Sequence, residues 1–135
     1  MKGTSMDAIL SIKPIYANQI LAGTKKVEFR KRKFKEKVRR VYIYASVPVK
    51  RIVGYFTFTK IDEDTPANLW EKYNKVGGIA KDDFMQYYAN SELGYAFVIK
   101  NVTSFDVGKS PNDFIEDFVP PQSYIYIDMN EKKDK

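Results

Sequence analysis

The run KKVEFRKR, residues 25–32, limits the fold more than any other stretch of the chain. Val27 and Phe29 stand two apart, and Lys26, Glu28, Arg30 and Arg32 fill the alternate positions. Side chains on a strand point to opposite faces in turn, so this pattern predicts a half-buried strand with one apolar and one charged face. A solvated basic tail has no use for the apolar pair, and a strand buried on both sides does not tolerate so many charges. Two further strands follow closely, RRVYIYAS (39–46) and RIVGYFTFTKI (51–61), both rich in β-branched and aromatic residues. KFKEK reads as a charged turn or loop, and Pro48 punctuates the next connection. The strands between 39 and 61 are close enough to pair antiparallel. Gly54 marks a bulge or a close backbone approach.

The flanking elements complete an α+β pattern. AILSIK (8–13) reads as a strand. Pro14 suits a first helical position, and the helix it opens should stop at Gly23. Tyr16/Ile20 and Ala17/Leu21 form its apolar stripe. After residue 61 the period changes. Thr65 and Pro66 open a short helix whose apolar side is Leu69, Trp70 and Tyr73. Gly77-Gly78 breaks it, and KDDFMQYYAN forms another, with Phe84, Tyr87 and Tyr88 on one side. GYAFVIKNVTSF (94–105) is a long strand, PNDFIEDF is irregular or one helical turn, and QSYIYI (122–127) is a closing strand. The order predicts a small mixed β-barrel of about five to six strands, with a helix after the first strand and two short helices between later strands. With 135 residues, no repeat and no linker, one domain over 7–128 is expected. Residues 1–6 read as a leader or tag-like tail, since Met6 can itself be a start, and 129–135 as a charged tail.

Absences narrow the chemistry. The chain has no Cys and no His. A thiol nucleophile, a Ser-His-Asp triad and nearly every zinc site are excluded, and any catalysis falls to Lys, Tyr, carboxylates or hydroxyls. The three acids at 62–64 alternate faces at a strand end and do not converge on a cation. Neither a metal nor a cofactor is expected. No apolar run reaches the ~18 residues of a membrane span, and the N-terminus lacks a secretory h-region; the absence of Cys fits the expected cytoplasmic location. Charge is concentrated. Residues 25–40 carry ten Lys or Arg against Glu28 and Glu36, a net +8 in a chain of net +6. A single basic patch points to a polyanion partner, the alternative being a solvated hairpin.

Gly23, Lys25, Glu28 and Arg30 match the G-x-K-x-x-E-x-R signature of the ASCH family, which has a PUA-like β-barrel. LSIKPIYANQILAGTKKVEFRKR, VYIYASVPVKRIVGYF, LWEKY, GYAFVIKNV and PPQSYIYI together resemble the short stand-alone prokaryotic ASCH proteins over roughly 9 to 127. The resemblance implies an RNA or nucleotide ligand in a cleft beside the barrel, by analogy with PUA domains. The family also holds predicted transcriptional regulators and enzymes acting on modified nucleosides. Among the latter are amidohydrolases that deacetylate acetylcytidine with a Lys, a Thr and a Glu. Lys25 matches that lysine, but Glu28 stands where those enzymes carry the threonine.

The residues themselves fit a cleft. With Val27 and Phe29 anchored in the barrel, Glu28 and Arg30 would point together to the other side. There they form a structural pair, or divide a ligand's donors and acceptors between them. Gly23 would turn the chain tightly and set Lys25 at the mouth. Lys13 precedes Pro14 where a capping acceptor usually stands. It either helps hold an anion at the helix start or swings outward while Ser11 or water caps the helix. Trp70 is either core or a stacking platform for a base, with Tyr88 and Tyr124 as weaker platforms. Tyr42 and Tyr44 share one face of their strand and Ile43 the other; only one face is expected to be core. Gln122 and Ser123 either read a base edge or cap a turn. The expected ligand set is Lys13, Lys25, Glu28, Arg30, Ser46, Trp70, Gln122 and Ser123, with phosphate on the cations. The alternative is a metal-independent hydrolase of a modified nucleoside or RNA, with Lys25 as base beside Glu28. A tyrosine-rich protein-interaction surface is a third reading.

Overall fold

The structure is a computed structural model and describes residues 6–128. The expected leader and charged tail lie outside those residues, apart from Met6, which begins the first strand. The elements are β1 (Met6–Ile12), α1 (Pro14–Ala22), β2 (Val27–Arg30), β3 (Val38–Ala45), β4 (Arg51–Asp64), α2 (Pro66–Tyr73), α3 (Lys81–Tyr87), β5 (Gly94–Lys109) and β6 (Tyr124–Ile127). A single 3-10 turn at Pro111–Asp113 falls in the segment expected to be irregular or one turn.

The strands form one mixed sheet in the order β2-β5-β4-β3-β1-β6. β3 and β4 pair antiparallel, as their short connection requires, while β1 and β3 run parallel across the α1 crossover. The sheet is barrel-like but is not closed by a hydrogen-bonded ladder between β2 and β6. Gly54 both faces a register shift and comes so close to β5 that a Cβ there would strike the Thr103 carbonyl and the Leu21 side chain.

Both faces of the sheet are covered. Leu10, Ile12, Ile43, Ala45, Phe56 and Phe97 pack with Ala17 and Ile20 of α1 in the main core. On the other face Ile9, Tyr42, Tyr44 and Ile52 pack with Phe114 from the segment after β5. Tyr42/Tyr44 and Ile43 are therefore all core, against the expectation of one core face. The segment 110–118 looked irregular in sequence, yet Phe114 and Phe118 place rings 4.9 Å from Tyr42 and Tyr44.

A third cluster corrects the reading of β2. Val27 and Phe29 are buried together with Leu69, Phe84, Tyr88 and Ala96, beneath α2 and α3. They anchor β2 to the helices rather than to the barrel interior. The face carrying Glu28 and Arg30 is thereby turned toward the start of α1 and the ends of β1 and β6.

Candidate functional site

Four local devices place the site. Gly23 closes α1 in the left-handed region at φ 84°, donating its N–H to Ile20. The next turn brings Lys25 N–H onto the Gln19 carbonyl. β2 then pairs with β5 in the register Glu28–Phe97 and Arg30–Tyr95. The Tyr88 hydroxyl donates to the Arg30 carbonyl at 2.9 Å, tying the end of β2 to the chain after α3.

These constraints open a cleft of about 630 Å³. Its lining comes from β1 and α1 (Ser11, Ile12, Lys13, Tyr16), from β2 and its approach (Lys25, Glu28, Phe29, Arg30), from Ser46 after β3, from Ile79, Asp83, Gln86 and Tyr87 on and before α3, and from Gln122 before β6.

The floor is a row of buried charges. Lys25 is 3% exposed, Glu28 6% and Arg30 9%. Glu28 sits between two cations: Oε1 lies 3.9 Å from Lys25 Nζ and Oε2 3.2 Å from an Arg30 guanidinium nitrogen. Lys25 also donates to the Gly77 carbonyl and lies 5.2 Å from the ring centroids of both Tyr16 and Phe29. Arg30 donates to the Ser11 carbonyl, the Ser123 carbonyl and Ser123 Oγ. Burial lowers the Lys25 pKa from its ordinary 10.5, with Glu28 opposing the shift. Burial raises Tyr16, helped by the carboxylates of Asp83 and then Glu28. Burial also raises Tyr87, where Arg30 opposes it and Glu28 adds to it.

Six of the eight expected ligand residues share this cleft: Lys13, Lys25, Glu28, Arg30, Ser46 and Gln122. Ser123 stands behind it as a partner of Arg30. Trp70 does not line it; its ring packs 5.1 Å from Phe84 in the cluster under α2 and α3. Tyr88 is likewise core, and Tyr124 packs against Phe34 at 4.8 Å. Lys25 lies at the floor, not the mouth, because the turn after Gly23 folds it inward onto Gly77. Lys13 makes no side-chain cap to α1, and Ser11 does not cap it either; the Ser11 hydroxyl donates to the Pro121 carbonyl at 2.7 Å.

Sequence reading missed the wall formed by α3. Asp83, Gln86 and Tyr87 recur at i, i+3 and i+4, the spacing of one helix face, which borders the buried Phe84. Tyr87 packs against the Phe84 and Tyr88 cluster, as its place on the apolar side predicts, but it also lines the cleft beside Asp83 and Gln86, a second role that the apolar pattern hid. Among the described residues, the 62–64 acids form no cation site. Asp62 and Asp64 both bind Lys72, and Glu63 faces Lys33.

A small α+β domain with a charged cleft at the edge of an open mixed sheet is the class these features define. Residues 10–107 match the ASCH domain family, and the chain belongs to that family. It is 26% identical over 129 residues to an ASCH domain-containing ribonuclease of Zymomonas mobilis, covering 93% of this chain and 86% of that one. The crystal structure of ASCH from Zymomonas mobilis superposes with a TM-score of 0.86 at 26% identity, over 94% of this chain and 91% of that one. The crystal structure of a variant of that protein, with a serine changed to alanine, gives 0.86 at 25% identity over 95% of this chain and 92% of that one.

Proposed function

We propose that the cleft holds a nucleotide of single-stranded RNA, with the base edge against Glu28, Gln86 and Gln122 and the phosphate toward Lys13 and the start of α1. The observation that carries this reading is the buried Lys25–Glu28–Arg30 row under an open cavity. A purely cationic groove holds any phosphate. A carboxylate and two amides set among cations separate a base presenting an amino group from one presenting a carbonyl. Among the described residues the Gln86, Gln122 and Ser46 side chains make no hydrogen bond, so they are free for a ligand. At the uncapped α1 start beside Lys13, Pro14 has no N–H and the Tyr16 and Ala17 N–H groups donate to the Lys13 carbonyl, so the Ile15 N–H and the Lys13 ammonium are the donors for phosphate. Family membership and the ribonuclease relative support an RNA-related role. Fluorescence anisotropy with short RNAs of each base tests it. Binding should prefer one base in wild type, and Gln122→Ala should reduce that preference; equal binding of all four bases by both proteins contradicts the reading.

Binding alone suits a regulatory module. One observation favours cleavage as a second reading: Lys25 is buried and its pKa lowered, which increases its neutral fraction at physiological pH. In that reading the neutral Lys25 amine takes the proton of a ribose 2′-hydroxyl. The 2′-oxygen bonds to the adjacent phosphorus, the bond from phosphorus to the 5′-oxygen breaks, and the departing oxygen takes a proton from solvent. The product is a 2′,3′-cyclic phosphate and a 5′-hydroxyl. Incubation of RNA with a chelator present should yield those ends from wild type and not from Lys25→Met. Intact RNA from both leaves the binding module.

A further inference from the structure

The loop between β2 and β3, residues 31–37, displays Lys31, Arg32, Lys33, Lys35 and Lys37, all exposed. Only Lys33 has an ion pair among the described residues, with Glu63 at 3.5 Å between two exposed side chains. Five exposed cations in seven residues repel one another, and a loop free to move would spread them apart. This loop is held still. Phe34 is 8% exposed and its ring lies 4.8 Å from Tyr124 and 5.2 Å from Phe97. The Lys35 and Glu36 N–H groups both donate to the Tyr126 hydroxyl, at 2.8 and 3.0 Å.

The loop also continues the cleft. Lys31 follows Arg30 directly, and its ammonium lies 4.8 Å from the ring centroid of Tyr87, which lines the cleft wall. On the other side the Tyr124 hydroxyl donates to the Lys33 carbonyl, and Tyr124 is two residues beyond Gln122 of the cleft. Several cations displayed on an anchored loop beside the cleft suit the successive phosphates of a strand better than the single phosphate group of a free nucleotide.

We infer that the ligand is a polynucleotide, a single-stranded RNA whose one nucleotide enters the cleft while the neighbouring phosphates lie along the Phe34-anchored loop. This rests on the RNA reading of the cleft. It goes further by assigning the loop a binding role, as the surface along which the strand leaves the cleft.

The test compares a short mixed-sequence RNA with the four nucleoside 5′-monophosphates, on wild type and on a variant with Lys31, Arg32, Lys35 and Lys37 changed to Ala. Each neutralised phosphate of a single strand contributes roughly −0.7 to the slope of log affinity against log salt. Losing three or four such contacts removes about 2–3 from that slope. Between roughly 50 and 200 mM salt, wild type should therefore lose roughly 20- to 60-fold more RNA affinity than the variant. Mononucleotide affinity should be the same for both proteins. A second variant, Lys31→Glu with Lys35→Glu, changes the loop charge by the same amount with half the substitutions and should weaken RNA binding to a similar extent. Equal RNA affinity and salt slope in wild type and both variants overturns the inference while leaving the cleft reading intact. So does a loop variant that loses binding to phosphatidylserine vesicles but keeps RNA binding. Absence of both RNA and mononucleotide binding in wild type fails the cleft reading itself.

Discussion

β2 and the loop that follows it are adjacent in sequence and alike in composition, yet their charges meet opposite fates. In β2 and its approach, Lys25, Glu28 and Arg30 are buried, of alternating sign and mutually bonded. In residues 31–37 the cations are exposed and largely unpaired, and the buried side chain is Phe34. The difference is set by what lies beneath. Val27 and Phe29 pull β2 under α2 and α3, which forces the alternate residues into the space beside α1. Phe34 inserts alone into the main core and pushes its neighbours outward. Two charge-rich stretches thus give a partnered floor in one place and a free electrostatic surface in the other.

That contrast is broken most severely at its two anchors. Glu28→Gln leaves Lys25 and Arg30 buried together without their shared carboxylate. It should cost about 3–5 kcal/mol in a urea titration, the usual penalty for removing one partner of a buried pair. A loss within the range of an ordinary surface substitution would mean the row is solvated in solution. Phe34→Ala should cost a similar ~3–5 kcal/mol for a deleted core aromatic. It should also weaken RNA binding without touching a cation, since the loop loses its anchor. By contrast, the fourfold alanine change at Lys31, Arg32, Lys35 and Lys37 should alter stability little, within about 0.5 kcal/mol per exposed site.

The smallest effect is the sharpest probe of sign. The folded-state pKa of Lys25 is lowered, so below that value both folded and unfolded chains carry the proton and the full burial cost is present. The cost is relieved as pH rises through the folded value toward the ordinary 10.5. Wild type should therefore gain on Lys25→Met over that alkaline window in paired urea midpoints. A constant difference across it contradicts the shift.

Sequence carried the fold well where one residue does one job. Thr65 accepts from the Asn68 N–H as the expected cap, Gly23 takes the left-handed turn, and the period-2 runs became β2, β3 and β4. It also showed that Glu28 and Arg30 face one way. It did not show what their apolar companions pack against, because alternation names a face and not its neighbour. The depth of Lys25 depends on the turn after Gly23 and on the carbonyl of Gly77, fifty-two positions away. Tyr42 and Tyr44 looked like half of a one-sided strand because the covering residues, Phe114 and Phe118, sit in a segment with no period. The α3 wall was legible only as i, i+3, i+4 polarity, and the neighbouring tyrosines masked it.

The central claim is that RNA meets the protein at the Lys25–Glu28–Arg30 cleft and leaves along the Phe34 loop. A titration of isotope-labelled protein with a short single-stranded RNA, followed by amide chemical shifts, tests it most directly. The account predicts that the largest shifts fall at Lys13, Lys25, Glu28, Gln86 and Gln122 and along 31–37, with Trp70 and the 62–64 acids unmoved. Saturable shifts confined to another face, or none in the cleft, would contradict it.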